Sequence, residues 1–396
     1  VAEFDLIELI RARCAIARDD VRLGIGDDAA LLAVPAGRLL AVSTDTLVEG
    51  IHFPKDTAPF DLGWKALAVN LSDLAAMGAT PAWATLNLTL PRADARWVEQ
   101  FADGFVALAR KHEVALVGGD TTQGPLSITI TVHGLVREEA ALRRAGARAG
   151  DVVCVTGTLG DAAAGLRLIM ASAQDNALAS NGLTIEGDRG VRGRLPDQEP
   201  PSPQPSPPMV KLSEEREQKA SGATQGGAKQ GWQAVSTVEE RGKFSITENG
   251  RKTFDAALMD RLNRPIPRVA QGLILAGRAH ACIDISDGLV ADLGHICRAS
   301  GVAAEIDADA LPTSDALAAL FDREMRRPLQ LAGGDDYELC FTAEESSVET
   351  LLADLARSGV AATSVGRIVV GAGVRVRDGA RRPIEIPRAG WQHFAV

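Results

Sequence analysis

The sequence predicts an α/β (α+β) protein of two domains, and three observations point that way. Short apolar runs such as Leu39–Thr44 and Ala115–Val117 alternate with segments of helical periodicity such as 62–77 and 95–112. Two further runs, Leu86–Leu90 and Ser127–His133, alternate apolar with polar residues, as strands with one wet or interfacial face do. The 396 residues, 46% of them hydrophobic and 24% charged, suffice for two cores.

In chain order, Phe4 to about Ala17 reads as an amphipathic helix with Phe4, Leu6, Ile7, Leu9 and Ile10 on its apolar face. Leu39–Thr44 reads as a short buried strand that delivers Asp45 at its end. Leu62–Met77 is a helix stopped by Gly78, with Pro81 just beyond. After the strand at 86–90, Ala95–His112 is a helix whose Trp97, Phe101, Phe105 and Leu108 recur at core spacing. Ala115–Val117 is a buried strand running into the loop Gly118–Gly124. Arg137–Arg148 is charged and irregular, which sets an N-terminal domain at 1–137 and a C-terminal domain at 138–396. Asp151–Thr156 is the next strand, and Gly157–Asp161 turns into a helix.

From about 173 to 252 the periodicity disappears. This stretch holds a proline-rich run at 200–208 and then sequence rich in Glu, Lys, Gln and Gly, so it reads as a disordered insertion. Loop-closure entropy grows slowly with length, so a surface insertion of this kind is tolerated. Order resumes near Phe254, with a turn at Arg264–Pro267 and a helix through Val269–Ala279.

A formal net charge of −10 argues against nucleic acid or an anionic membrane surface as the main partner. The five cysteines are scattered without a CxxC pair, which argues against a structural zinc or a disulfide framework. Val1–Asp5 lacks the basic and apolar regions of a signal peptide, and no apolar stretch approaches the roughly 20 residues that span a bilayer. A cytoplasmic protein without membrane contact is expected.

Chemistry concentrates in five clusters of aspartate beside glycine, serine or threonine: Gly24–Asp28, Ser43–Asp45, Gly118–Thr122, Asp284–Gly288 and Gly333–Asp336. Carboxylates at loops attract hard cations, and small residues let a backbone approach phosphate oxygens. Together they indicate one multi-magnesium, nucleotide-handling site. Asp28 and Asp45 are placed at loop ends. Asp73 instead interrupts the apolar helical run 66–76, a costly position unless it is paired or coordinating. The Gly118–Gly124 loop suits a nucleotide phosphate bridged to magnesium, although no GxxxxGK[ST] is present. Arg143, Arg144 and Arg148 offer guanidinium groups for phosphate. His52 trails the Asp45 cluster, and Trp391 is a late aromatic able to stack on a flat heterocycle. No Ser-His-Asp or Cys-His arrangement stands out.

Six ordered motifs carry a resemblance: GIGDDAAL (24–31), STDTLVEGIHF (43–53), NLSDLAAMG (70–78), GGDTTQGP (118–125), DISDGL (284–289) and GGDDYELCF (333–341). Together they resemble the thiamine-monophosphate kinase family, of the aminoimidazole ribonucleotide synthetase-like superfamily. The match runs from about Glu3 to the end, apart from the insertion. It implies an α/β domain at each end and a homodimer built through a barrel of N-terminal sheets. It implies magnesium ions held by Asp28, Ser43, Thr44, Asp45, Asp73, Asp120, Asp284 and Asp287. ATP would be contacted by Gly119, Asp120, Thr121, Arg144 and Ser286, and thiamine monophosphate by His52, Asp335 and Trp391.

The expected reaction is ATP-dependent phosphorylation of thiamine monophosphate to thiamine diphosphate, the last step of its biosynthesis. The acceptor phosphate is already largely ionised at neutral pH, so no strong general base is needed, and no catalytic side chain is assigned. Two alternatives are kept. One is a sister enzyme that activates an amide oxygen with ATP. The other is a degraded, non-catalytic Mg-ATP-binding protein. A selenophosphate-type chemistry is disfavoured because Cys14 has no lysine near it ahead of Lys55.

Overall fold

The computed structural model describes residues 3–180, 248–386 and Gly390. The chain divides into one compact unit, residues 1–173 with 247–396, and the segment 174–246. Most of the aperiodic stretch, and Trp391, lie outside the described residues.

The N-terminal part runs α1 (Glu3–Arg13), β1 (Val21–Leu23), β2 (Leu31–Leu32), β3 (Leu39–Val48), α2 (Pro59–Ala76), β4 (Thr80–Leu90), α3 (Ala95–Lys111), β5 (Ala115–Gln123) and β6 (Ser127–Val136). It is followed by β7 (Val152–Thr156), α4 (Asp161–Ser180), α5 (Glu248–Asn263), α6 (Val269–Leu275), β8 (Ala281–Asp284), α7 (Leu289–Ser300) and β9 (Ala303–Asp307). The chain closes with α8 (Asp315–Leu320), α9 (Arg323–Ala332), β10 (Leu339–Ala343), α10 (Glu345–Arg357), β11 (Ala362–Val369) and β12 (Gly373–Arg377). Helices α4 and α5 thus occupy the two ends of the stretch read as an insertion.

Two sheets carry the fold. The first has the order β3-β6-β4-β5, antiparallel except for the parallel β4–β5 pair. The second has the order β12-β9-β11-β7-β10-β8, antiparallel except for β12–β9. The alternation of Ser127–Val136 appears as strict half-burial along β6, with Ile128, Ile130 and Val132 fully buried. Helix α2 lies against both sheets, touching β3 and β6 on one side and β8 on the other. It is therefore buried nearly all round, from Leu62 to Ala76 with Asp73 the exception. Helix α3 closes on it without intervening side chains, because a Cβ at Gly63 would fall 1.9 Å from the Phe101 carbonyl and one at Gly104 1.8 Å from the Phe60 carbonyl.

Three sequence expectations are corrected. The strand at Leu39 is neither short nor buried: it runs ten residues, paired with β6 from Leu39↔Val136 to Val48↔Ser127. As the sheet's edge it leaves Leu39, Leu40 and Val42 45%, 44% and 56% exposed. Asp45 accordingly sits within the strand, not at its end. The Gly118–Gly124 segment is also strand for most of its length, because β5 continues to Gln123 beside β4. Glycine permits this: Gly119 has φ +148°, and a Cβ there would fall 1.8 Å from the Leu86 carbonyl. The first helix is shorter than expected, ending at Arg13.

Candidate active site

Three elements bring acids together around α2. On β3, Ser43 and Asp45 share the inward face with buried Leu47, since alternate residues of a strand point the same way. Helix α2 supplies Asn70, Ser72 and Asp73, and the end of β8 supplies Asp284, which is buried. Asn70 Oδ1 accepts the Asp45 backbone N–H at 3.1 Å, while its Nδ2 donates to the Ala66 carbonyl at 2.9 Å. Ser43 Oγ donates to Asp73 Oδ2 at 2.5 Å.

Burial raises all three acids, and the Asp73 charge adds to the other two. Burial, then the Asp73 charge, pushes Asp45 up to about 6. Burial pushes Asp284 well above the ordinary carboxylate range, with Asp73 the next cause and Asp292 and Asp45 behind it. Ser72 Oγ makes no hydrogen bond of good geometry, yet stands close enough to Asp284 to favour its ionised form. Asp73 is raised by burial and held back by the Ser43 hydroxyl and by Arg144, whose charge reaches it. Among the described residues, no group of three or more His, Cys, Asp or Glu already stands in metal-holding geometry. The donor set of carboxylates and a hydroxyl nevertheless matches what a hard divalent cation takes.

Two loops complete the site. In the first, Asp292 Oδ2 accepts the backbone N–H groups of Ser286, Asp287 and Gly288 at 3.0, 3.0 and 3.1 Å, so one carboxylate shapes the whole turn after β8. Burial and the Asp287 charge push Asp292 up to about 7. The second loop, 333–338, zips onto the first: the N–H groups of Asp335 and Tyr337 donate to the carbonyls of Ser286 and Ile285, and Ile285 N–H donates to the Glu338 carbonyl, all at 2.8 Å. Asp335 receives Lys65 Nζ at 3.0 Å on Oδ2 and the Tyr337 hydroxyl at 2.9 Å on Oδ1. The Tyr337 hydroxyl is raised by burial and then by Asp335, with Asp45 and Asp284 adding to it, so this pair lies alongside the acid cluster.

Of the residues singled out from sequence, Ser43, Asp45, Asp73, Asp284 and Arg144 meet here, with Ser286, Asp287 and Asp335 on the adjoining loops. Thr44 faces the other side of β3, where its hydroxyl meets the Ile130 carbonyl and Thr131 Oγ1 at 3.1 and 2.9 Å. Asp28 is exposed in the turn after β1, its N–H bonded to Asp27, and is not among the mutually repelling acids. Asp120 is exposed on edge strand β5, accepting the N–H of buried Thr121 at 2.9 Å. His52 follows β3, and its Nδ1 accepts the Val48 N–H at 3.0 Å, so a neutral ring presents its proton at Nε2. Gly390 packs against Asp287 and Ala291.

Sequence reasoning missed Lys65, Tyr337, Asn70, Ser72 and Asp292. Lys65 stands just ahead of the apolar helical run that Asp73 interrupts, where a lysine reads equally as a helix-surface residue. Tyr337 is the chain's single tyrosine, within a motif already noted.

Residues 26–136 match the N-terminal domain of the AIR synthase related protein family, and 229–379 match its C-terminal domain. The thiamine-monophosphate kinase of Salmonella typhimurium is 40% identical over 397 residues, covering 100% of this chain and 98% of that protein. The crystal structure of thiamine-monophosphate kinase from Stenotrophomonas maltophilia is 44% identical with a TM-score of 0.71, covering 95% and 96% of the two chains. AaThiL complexed with AMPPCP and TMP is 28% identical with a TM-score of 0.63, covering 99% and 97%.

Proposed function

Since the chain belongs to the thiamine-monophosphate kinase family, and so phosphorylates thiamine monophosphate with ATP, we propose that it does so by direct in-line transfer at the Asp45–Asp73–Asp284 cluster. The observation that carries this reading is the convergence of three acids from β3, α2 and β8 beside a separate, lysine-held carboxylate, Asp335. It divides the site into a metal and nucleotide side and an acceptor side.

Asp28, Ser43, Asp45, Asp73, Asp120, Asp284 and Asp287 would hold the magnesium ions, with Thr44 contributing through its main chain because its hydroxyl faces away. When bound, magnesium neutralises the phosphates and the acids that face them. The burial, and behind it the Asp73 charge, that raises Asp45 and Asp284 is the kind of cost a site bears when a cation is to be held there.

The chain's own groups do the rest. Gly119, with no side chain, leaves backbone at Gly119–Thr121 open to the nucleotide, while Arg144 and Ser286 reach it from the C-terminal side. His52 and Asp335, whose oxygens offer acceptor lone pairs, would meet thiamine monophosphate, and Trp391, outside the described residues, is assigned by the same reading to its ring. An ionised acceptor phosphate needs no base, so the protein positions and shields two anions. Acceptor-dependent ADP release with thiamine diphosphate as product, and no labelled phosphate retained on acid-denatured protein, is the expected result. Phosphate trapped covalently on the chain would refute direct transfer.

The domain boundary is proposed at 137/138, between the last strand of the first sheet and the first strand of the second. A homodimer through the N-terminal sheets is part of the same reading. Edge strand β3 presents exposed Leu39, Leu40 and Val42, and such an apolar edge needs a partner. Sedimentation at twice the chain mass of 41.6 kDa is expected, and a monomer at micromolar concentration would exclude the dimer. A cytoplasmic location is proposed too: among the described residues no helix is long and apolar enough to cross a membrane, and all five cysteines are free and buried.

A further inference from the structure

We infer that Lys65 and Tyr337 are positioning residues for the acceptor substrate, acting through Asp335. The inference rests on the reading that Asp335 meets thiamine monophosphate.

Lys65 is a lysine inside the helix that both sheets enclose, and it is 2% exposed. A buried ammonium needs an anion, and its ion-pair partner among the described residues is Asp335, 270 positions away in sequence. The Asp335 side chain is 31% exposed, so its two held oxygens keep an open side. Lys65 takes Oδ2 and Tyr337 takes Oδ1, one donor per oxygen. A carboxylate oxygen accepts two hydrogen bonds, so each retains a free lone pair. The result is a fixed acceptor, held by a lysine and a phenol, aimed at a ligand that donates hydrogen bonds or carries positive charge. Thiamine offers both, in its exocyclic amine and its thiazolium ring.

The backbone is built to hold this arrangement. Asp335 and Tyr337 both stand in the left-handed region, with φ +65° and +49°, and neither is glycine. Residues 335 and 337 turn to the site, while 336 and 338 turn inward. Both oxygens of buried Asp336 accept the Gly160 N–H at 3.0 Å, and buried Glu338 is gripped by Arg261 and Arg268. The loop is anchored by its alternate residues so that Asp335 and Tyr337 can be presented in a strained conformation.

The competing account is that Lys65 merely offsets the nearby acids, in which case its loss would act on metal and nucleotide binding. Kinetics separates the two. Lys65→Met is expected to raise KM for thiamine monophosphate roughly tenfold, with kcat and the KM for Mg-ATP within twofold of wild type. Tyr337→Phe moves the same parameter by a smaller factor. In an Asp335→Asn background, either substitution adds nothing further, since both act through the carboxylate. Additive effects, or a change confined to Mg-ATP, overturn the inference while leaving Asp335 as a substrate contact. An Asp335→Asn enzyme with an unchanged KM for thiamine monophosphate overturns the underlying reading. Should Lys65→Met fail to melt cooperatively, the cycle of Tyr337→Phe with Asp335→Asn decides the question alone.

Discussion

Replacing Asp45 by asparagine will lower kcat by about 10³-fold while leaving the melting temperature unchanged or higher, the loss being on the scale of the several kcal/mol that metal-borne charge stabilisation contributes. Asparagine keeps the shape of the side chain and leaves the backbone N–H of residue 45 to Asn70. What it removes is one of three buried or half-buried acids, a charge that helps to raise Asp284. The native Asp45 carboxyl titrates near 6 instead of its ordinary 3.8, through burial and then Asp73. Between those two values the folded protein binds the extra proton, so this group's contribution to stability falls as pH rises through the window and is least favourable above it. At pH 8 the substitution therefore relieves a cost in the free protein. On the proposed reading it also removes charge from the magnesium site. Activity and stability should move in opposite directions, as at sites where function is bought with local strain. Steady-state rates at saturating Mg-ATP and thiamine monophosphate, with melting curves at pH 5 and pH 8, provide the check. A kcat near wild type would remove Asp45 from the reaction, and a lower melting temperature at pH 8 would show that its charge is compensated in the free protein.

The three acids that converge, Asp45, Asp73 and Asp284, each stand in the sequence beside neighbours that mark them out. An acid beside glycine and serine at the end of an apolar run, or alone in one as Asp73 is, has few structural explanations. Their partners were not legible in the same way. Lys65 stands in Trp64-Lys65-Ala66-Leu67, where a lysine at a helix surface would look identical, and only the enclosure of α2 by two sheets makes it a buried ion. Asn70 reaches a strand 25 residues away and Ser72 approaches Asp284 across the fold, which no local pattern encodes, whereas Asp292 holds the turn just before its own helix through three backbone N–H groups.

The strands show the same limit. The period-two alternation of β6 located its faces without error, since burial of every second residue is what that pattern means. The apolar run at Leu39 had no such alternation to read, and its residues proved to lie on an exposed sheet edge. Apolarity indicates that a surface is to be covered, and says nothing of whether this chain covers it. In β5 the glycines looked like loop, whereas Gly119 is there because the Leu86 carbonyl leaves no room for a Cβ.

The second large effect is on stability, at Glu338, where replacement by alanine is expected to cost about 3–5 kcal/mol, the range for breaking a buried ion pair from one side. Its carboxylate is wholly buried. One oxygen accepts from Arg268 Nε at 2.6 Å and from Thr156 Oγ1 at 2.7 Å, and the other accepts from Arg261 at 2.7 Å and from the second arm of Arg268. Arg268 is itself buried, so removing the acid strands a guanidinium in the interior. These contacts tie four parts of the chain together: the end of β7 through Thr156, α5 through Arg261, the turn before α6 through Arg268, and the residue ahead of β10. Helix α5 follows the segment 174–246 in sequence, so this clamp fastens it beside the loop 333–338. That explains how so long an interruption leaves the site assembled. Glu338→Ala should lower the melting temperature by roughly 10 °C, and at a temperature where it remains folded it should raise KM for thiamine monophosphate, because Asp335 and Tyr337 lose the anchor that holds their left-handed backbone. Glu338→Gln, which keeps the hydrogen-bonding shape but not the charge, should fall between. A melting temperature within 2 °C of wild type for the alanine variant would mean that α5 is held in place by packing alone.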